Sequence, residues 1–259
     1  RIGYPVLKEI SQYWERHLKT LGEGGRGFES EYKVVDVAKY PELANIKEGT
    51  LVVPNGWSPE IGPRGEDGVS HDQEIVSALF ANTIQAARTL GVDKAFAERL
   101  SSELARMHQP GIGKMGNLME WMIDRDPVTD HRHTSHLFAV YPGNQINMEE
   151  TPMLALAARR SLELRKTSGN SLRAFAWAWR SCLWARLRDG ERAHDMIVGL
   201  LCNNTLDNLL TTQNLPLQMD ANYGVAAAML ETLVQSQSGV IELLPTPTVK
   251  WPSGSVKGV

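Results

Sequence analysis

Residues 70–107 read SHDQEIVSALFANTIQAARTLGVDKAFAERLSSELARM, and this stretch decides the fold class. Ser70 followed three residues later by Gln73 has the form of a capping box. Asp72 adds a negative charge where a helix N-terminus is electropositive. Ile75, Leu79, Ile84 and Leu90 recur along one apolar side, and Gly91 supplies the residue that turns left-handed to close the helix. A second helix, from about 93 to 107, follows after a short turn. Two long helices joined this tightly make a helix pair, and the rest of the chain repeats the texture.

Upstream, Pro5 suits the first turn of a helix running through Tyr13, Trp14 and Leu18, since its missing N–H would have been unpaired there anyway. Residues 32–54 are mixed and strand-like in places, punctuated by Pro41, Gly49 and Pro54. Downstream, helices fit 152–164, 171–187, 191–201 and 223–237. After Gly239 the run Val240-Ile241-Glu242-Leu243-Leu244 reads as a strand leading out of the helical region. Short turns alternate with long loops rich in glycine, proline and polar residues. That alternation fits stacked helix pairs closing into a toroid, whereas a simple bundle has short loops throughout. In a toroid the long loops gather at one end, where a cleft can be built. Periodicity alone fits an open helical solenoid that binds a ligand and catalyses nothing equally well.

The 259 residues carry 42% hydrophobic and 22% charged side chains and a net charge of -3. No block of like charge stands out, so neither a nucleic acid nor a membrane surface is an expected partner. No run approaches the roughly 18 apolar residues that span a bilayer. Cys182 and Cys202 are too few for a disulfide framework or a structural zinc site, and Cys182 reads as a small buried hydrophobe beside Trp184. The chain opens at Arg1 without a methionine or signal-peptide pattern, as the interior of a longer polypeptide would, so the lack of a targeting segment is uninformative.

Four polar clusters fall in the loops. Asn55-Gly56-Trp57-Ser58-Pro59-Glu60, with Gly62, Pro63 and Gly65 behind it, sets a carboxylate beside a tryptophan on an unusual backbone path. Sugar hydrolysis needs a carboxylic acid to protonate the leaving oxygen, and an indole face stacks on the C–H side of a sugar ring. Read locally, a carboxylate such as Glu60 is more often an ordinary loop residue. His131-Arg132-His133-Thr134-Ser135-His136-Leu137 holds three of the seven histidines. Metal binding is one reading, but no Cys or HExxH pattern accompanies it, and a set of donors and acceptors for sugar hydroxyls fits better. Buried structural histidines are the plain alternative. Gln218-Met219-Asp220-Ala221-Asn222-Tyr223-Gly224 stands where a helix begins. Asp220 there is either a cap holding backbone N–H groups or a second carboxylate kept ionised by them. In the last cluster, Glu120 and Trp121 are candidates to line a cleft, while Asp124, Asp126 and Asp130 read as surface residues. Trp177, Trp179 and Trp184 lie at helical spacing and read as core, with Trp179 nearest to any cleft.

Taken in order, these motifs carry a resemblance. Trp57-Ser58-Pro59-Glu60, Asp72-Gln73, Glu120-Trp121, the His131–Leu137 run and Tyr141-Pro142-Gly143-Asn144-Gln145 come first. Trp184-Ala185-Arg186-Leu187 with Asp189-Gly190, then Asp220 with Asn222 and Gly224, and Trp251-Pro252-Ser253-Gly254-Ser255 follow. The series resembles glycoside hydrolase family 95, the inverting α-L-fucosidases, which also includes α-L-galactosidases. The resemblance implies an all-α (α/α)6 barrel, of which 1–239 would be an incomplete part, with 240–259 starting a C-terminal β region. It implies Glu60 as general acid and Asp220 as general base, with Trp57, Glu120, Trp121, Arg132, His133, His136, Trp179 and Asn222 around a fucosylated or L-galactosylated glycan, α-1,2-linked fucose being the expected substrate. No metal or organic cofactor is implied, and a periplasmic or secreted setting is suggested by the resemblance alone. A non-catalytic carbohydrate-binding helical domain is the alternative of another class, and a lyase acting on acidic polysaccharides is weaker, because it would want a basic cleft.

The chain departs from the family pattern in three ways. Ala221 replaces a glycine, Ala174-Phe175 replaces Gly-Trp, and no Asn-x-Asn segment precedes Glu60, although the family's base works with such a pair. The isolated 259 residues are therefore expected to be a catalytic-domain fragment that hydrolyses poorly or not at all.

Overall fold

The computed structural model describes residues 3–20, 46–47, 49–167, 173–213, 216–237, 239–255 and 257–258. Among them the chain is helix-dominated, with two small antiparallel two-stranded sheets. It divides into two compact units, 1–126 and 127–259. No helix among the described residues is long and apolar enough to cross a membrane.

The first unit contains α1 (Gly3–His17), α2 (Ser70–Leu90) and α3 (Lys94–Leu104), with β1 (Lys19–Thr20) paired to β2 (Leu51–Val52). Most of the segment expected to be mixed and strand-like, 32–45, lies outside the described residues, and β2 falls within the remainder. The core stripe of α2 is Val76, Phe80, Ile84 and Ala87, which packs with Phe96, Ala97 and Leu100 of α3 and with Leu51, Val53 and Met107. This corrects the apolar side read from the sequence, because Ile75 and Leu90 are exposed and Leu79 is only partly buried. A helix advances 100° per residue, so a one-residue shift in the stripe re-aims every side chain. Burying a side chain such as Phe80 completely contributes about 2–3 kcal/mol. α1 docks on α2 through its partly buried Tyr4 and Trp14 and through a buried hydroxyl pair, Ser11 with Thr83 at 2.8 Å.

The ends of α2 show which local signals held. Gly91 closes the helix in the left-handed region (φ 67°), with Val92 N–H donating to Ala87 O at 3.0 Å. The capping box does not form: Val69 flanks the helix and no side chain caps it. Ser70 Oγ donates instead to Met119 O at 2.6 Å. Gln73 is buried and serves β2, accepting from Val53 N–H at 2.9 Å and donating to Leu51 O at 3.0 Å. A two-residue strand has few partners of its own, so its buried backbone groups need that amide.

The second unit is built around α5 (Ala174–Arg186), with α4 (Pro152–Leu164), α6 (Gly190–Asn204) and α7 (Met219–Leu233). α6 and α7 both pack on α5. Alanines let the helices approach closely: a Cβ on Gly224 of α7 would lie 2.8 Å from the Ala178 Cβ of α5. Trp177 and Trp184 are core, as their spacing predicts. Trp177 Nε1 donates to Asn204 Oδ1 at 3.2 Å, and Trp184 lies beside the guanidinium groups of Arg159 and Arg192. Cys182 is buried, and burial pushes its thiol up to about 12. Asp189 caps α6 by accepting from Arg192 N–H at 3.1 Å.

Several boundaries move relative to the sequence reading, most of all in α7 and the strand after it. α7 starts four residues before 223 and stops at Leu233, because Val234–Gln235 turns extended as β3 and pairs with β4 (Glu242–Leu243). The strand expected over 240–244 shortens to those two residues, and Leu244 has a positive φ of 53°. Beyond it the chain is tied to α5 and α6: Thr246 Oγ1 donates to Ala185 O, and Thr248 Oγ1 and Val249 N–H donate to Glu191.

Candidate active site

The two carboxylates singled out in the sequence fall in different units, so each half is described in its own frame. In the first unit, residues 56–66 form a loop closed at its neck. Gly56 N–H donates to Glu66 O at 2.6 Å, and Gly65 and Glu66 N–H both donate back to Gly56 O. Arg125 forms an ion pair with Glu66 at that neck. Buried Asp67, beside it, accepts from Asn55 N–H at 3.0 Å and from Lys19 Nζ at 3.1 Å. Glu60 is exposed at the far end of the loop. Trp57 is half-buried, its ring covered by the Arg64 guanidinium at 4.1 Å, and its indole N–H is buried without a partner among the described residues.

Glu120 and Trp121 are not open to a cleft within this unit; both are buried, at 8% and 4% exposure. Glu120 Oε1 accepts from Ser58 Oγ at 2.5 Å, and the Trp121 ring lies against Gly62. Asp124 accepts from Lys114 N–H and Asp126 pairs with Lys114 Nζ, which places both in a surface turn as the sequence predicts.

In the second unit the histidine run forms a compact turn, with Ser135–Leu137 as one turn of 3-10 helix. His131 Nδ1 accepts from His133 N–H at 3.0 Å, which leaves its proton on Nε2 when the ring is neutral. The two rings stand 5.2 Å apart. His136 is buried, while Arg132 and His133 are half-buried. Arg180 of α5 is buried and donates to His131 O at 2.9 Å and Lys166 O at 3.0 Å, tying this loop to the central helix. Sequence reasoning missed Arg180, because its partners are backbone carbonyls 14 and 49 positions away. Among the described residues no three His, Cys, Asp or Glu side chains converge as a metal site.

Asp220 lies in the first turn of α7, exposed. The capping role is corrected here: Gln218 flanks the helix, and no side chain makes a cap hydrogen bond. Asp220 makes no hydrogen bond or ion pair among the described residues. Asn222 has its amide committed to the chain. Its Oδ1 accepts from Thr211 N–H and Oγ1, both at 2.9 Å, and its Nδ2 donates to Leu209 O at 2.9 Å. It anchors the 209–211 loop beside Asp220. Trp179, half-buried, donates Nε1 to Tyr141 O at 2.9 Å and tilts its ring toward Phe175, 5.7 Å away.

Residues 1–233 match the glycosyl hydrolase family 95 catalytic domain. The chain belongs to this family. It is 34% identical over 238 residues to alpha-L-fucosidase 2 of Arabidopsis thaliana, covering 84% of this chain and 28% of that protein. It is 29% identical over 280 residues to a probable alpha-fucosidase A of Aspergillus niger, covering 99% of this chain and 32% of that protein. The corresponding probable enzyme of Aspergillus oryzae is 30% identical over 238 residues, covering 82% and 33%. The chain thus spans about a third of the length of these relatives.

In this family 95 chain the histidines carry a pH signature. Burial holds His133 down at about 4, with Arg132, His131, Arg165 and Arg180 adding to the effect, and burial alone does the same for His108. Both rings are therefore neutral at pH 7, and a neutral imidazole can accept a hydrogen bond as well as donate one. In the unfolded chain each regains a value near 6.5 and takes up a proton that the folded state refuses. Stability from this source is complete above about pH 6.5, falls as pH drops toward 4, and changes no further below that. The urea midpoint is expected to fall between pH 7 and pH 4.5, and His108→Gln should flatten that slope. An unchanged slope would show that His108 is not held neutral.

Proposed function

We propose that these residues form part of the catalytic domain of an inverting exo-glycosidase that removes terminal α-1,2-linked L-fucose from glycans. The observation that carries the reading is the exposure of two carboxylates within a family 95 chain. Glu60 is exposed at the tip of a loop whose neck is fixed, and Asp220 is exposed at the start of α7 with no bond among the described residues. In contrast to Asp220, structural carboxylates in the same chain, such as Glu66, Asp67 and Asp189, are held by cations or backbone N–H groups. The names of the relatives, alpha-L-fucosidase 2 and probable alpha-fucosidase A, support L-fucose as the sugar.

The chemistry assigned to these groups is a single displacement. The Glu60 carboxylic acid gives its proton to the glycosidic oxygen as the C1–O bond breaks. A water attacks C1 from the opposite face, and Asp220 takes the proton that the water loses. Glu60 ends as carboxylate, Asp220 as acid, and exchange with solvent restores both. Arg132, neutral His133 and His136 hold the sugar hydroxyls. Trp57 offers an indole face.

Matched aryl α-L-fucoside and α-L-galactoside test the substrate, since the sugars differ only in a 6-hydroxyl. The full-length protein is expected to release L-fucose faster by about 10–10²-fold, the discrimination an apolar pocket gives against an added hydroxyl. Equal or faster release of L-galactose would reassign the sugar. Retained glycan binding with release of neither would favour a non-catalytic binding domain.

A further inference from the structure

We propose that Glu120 and Trp121 are positioning residues that fix the loop bearing Glu60, and that neither touches the sugar. The inference rests on the reading of Glu60 as general acid. Two consecutive residues of one segment grip the loop on both sides of Glu60, two positions before it and two positions after. Before it, Ser58 is fully buried, and its hydroxyl donates to Glu120 Oε1 at 2.5 Å. After it, Gly62 adopts φ +69° with the Trp121 indole so close that a Cβ would lie 2.4 Å from the ring. A side chain at 62 would meet both a strained backbone and an aromatic face, so glycine is the residue that allows the grip.

The segment carrying Glu120 and Trp121 is itself anchored. Ser70 at the start of α2 donates its N–H to Glu120 O at 3.2 Å and its hydroxyl to Met119 O at 2.6 Å. Arg125, stacked over Trp121 at 5.5 Å, reaches the Glu66 carboxylate at the loop neck. The frame therefore runs from a 21-residue helix through residues 119–121 into the loop. A general acid must sit within hydrogen-bonding reach of the departing oxygen, and a misplacement of about 1 Å costs on the order of 10²-fold in rate. Support built this way is what an exposed carboxylate on a loop requires, and it explains why Glu120 and Trp121 are buried while Glu60 is not.

The test is leaving-group dependence in the full-length protein. Ser58→Ala deletes the hydroxyl that Glu120 holds. It is expected to lower kcat about 10–10²-fold on a fucoside with a poor alcohol leaving group, with KM within about twofold. On a dinitrophenyl fucoside, whose departure needs no proton, the loss should be under about threefold. Glu120→Gln keeps an acceptor oxygen for Ser58 and should recover most of the rate that Glu120→Ala loses. A rise in KM with unchanged kcat for either Glu120 variant, or losses equal on both substrates, would overturn the positioning role. Glu60→Gln run alongside separates the two ideas. If it shows no leaving-group dependence, the acid assignment fails; if it does and Ser58→Ala and the Glu120 variants do not, only the positioning role fails.

Discussion

Asp220→Asn is expected to lower kcat on a terminal α-L-fucoside by about 10²–10⁴-fold, whatever the leaving group, and to leave the fold unchanged. The amide keeps the shape of the carboxylate but cannot take a proton from water, so the loss belongs to the base step. Because Asp220 is exposed and carries no hydrogen bond or ion pair among the described residues, the substitution breaks no structural contact there. A surface change of that kind, with loss of a negative charge at a helix N-terminus, moves stability by about 1 kcal/mol or less. Kinetics on two aryl fucosides together with a thermal melt measure both halves. An unchanged melt with lost rate is the predicted pair. Near-normal rates would return Asp220 to the surface of its helix, and a large loss of stability would mean that it has a structural partner.

Glu60→Gln should behave differently, and the difference identifies the acid. On a poor leaving group kcat should drop about 10²–10⁴-fold, and on a dinitrophenyl fucoside most of that loss should vanish, because the better leaving group departs unprotonated. The alkaline limb of the pH–rate profile should flatten at the same time, since that limb reports loss of the acid's proton. Glu60 lies at the exposed end of its loop, while the contacts that close and grip the loop are made by its neighbours Gly56, Ser58, Gly62 and Glu66. The amide also keeps the shape of the carboxylate, so folding should be spared. A loss equal on both substrates would mean that Glu60 binds the sugar and does not protonate it.

The parts of this chain that were legible in its sequence are those set by neighbours along the chain. Gly91 as a left-handed stop and Pro152 at the start of α4 are decided within a few residues, and both stand where they were expected. Trp177 and Trp184 of α5 were legible as core for the same reason, because helical spacing alone puts them on packed faces. Ser70 and Gln73 show the limit. Their spacing matches a capping box, yet each finds a partner distant in sequence, Ser70 at Met119 and Gln73 at residues 51 and 53. A buried backbone group without a partner costs more than a cap contributes, so the long-range demand wins.

The candidate site divides the same way. Glu60, Asp220 and the histidine run were visible as unusual clusters of polar residues in loops. The supports were not, because Ser58 with Glu120 spans 62 positions and Arg180 with His131 spans 49. Glu120 and Trp121 read as cleft residues from their types, and their burial, which the structure shows, is set by contacts distant in sequence. Asn222 likewise reads as a sugar ligand in its motif, and the structure commits its amide to Thr211 and Leu209.

The central claim is that Glu60 and Asp220 act as an acid and a base in one displacement, and the stereochemistry of the product tests it most directly. Proton NMR of the full-length protein acting on an α-L-fucoside should show β-L-fucose as the first anomer formed, with the α form growing in only as mutarotation proceeds. If α-L-fucose appears first, a covalent intermediate has formed on the enzyme, and the roles assigned to Glu60 and Asp220 are wrong.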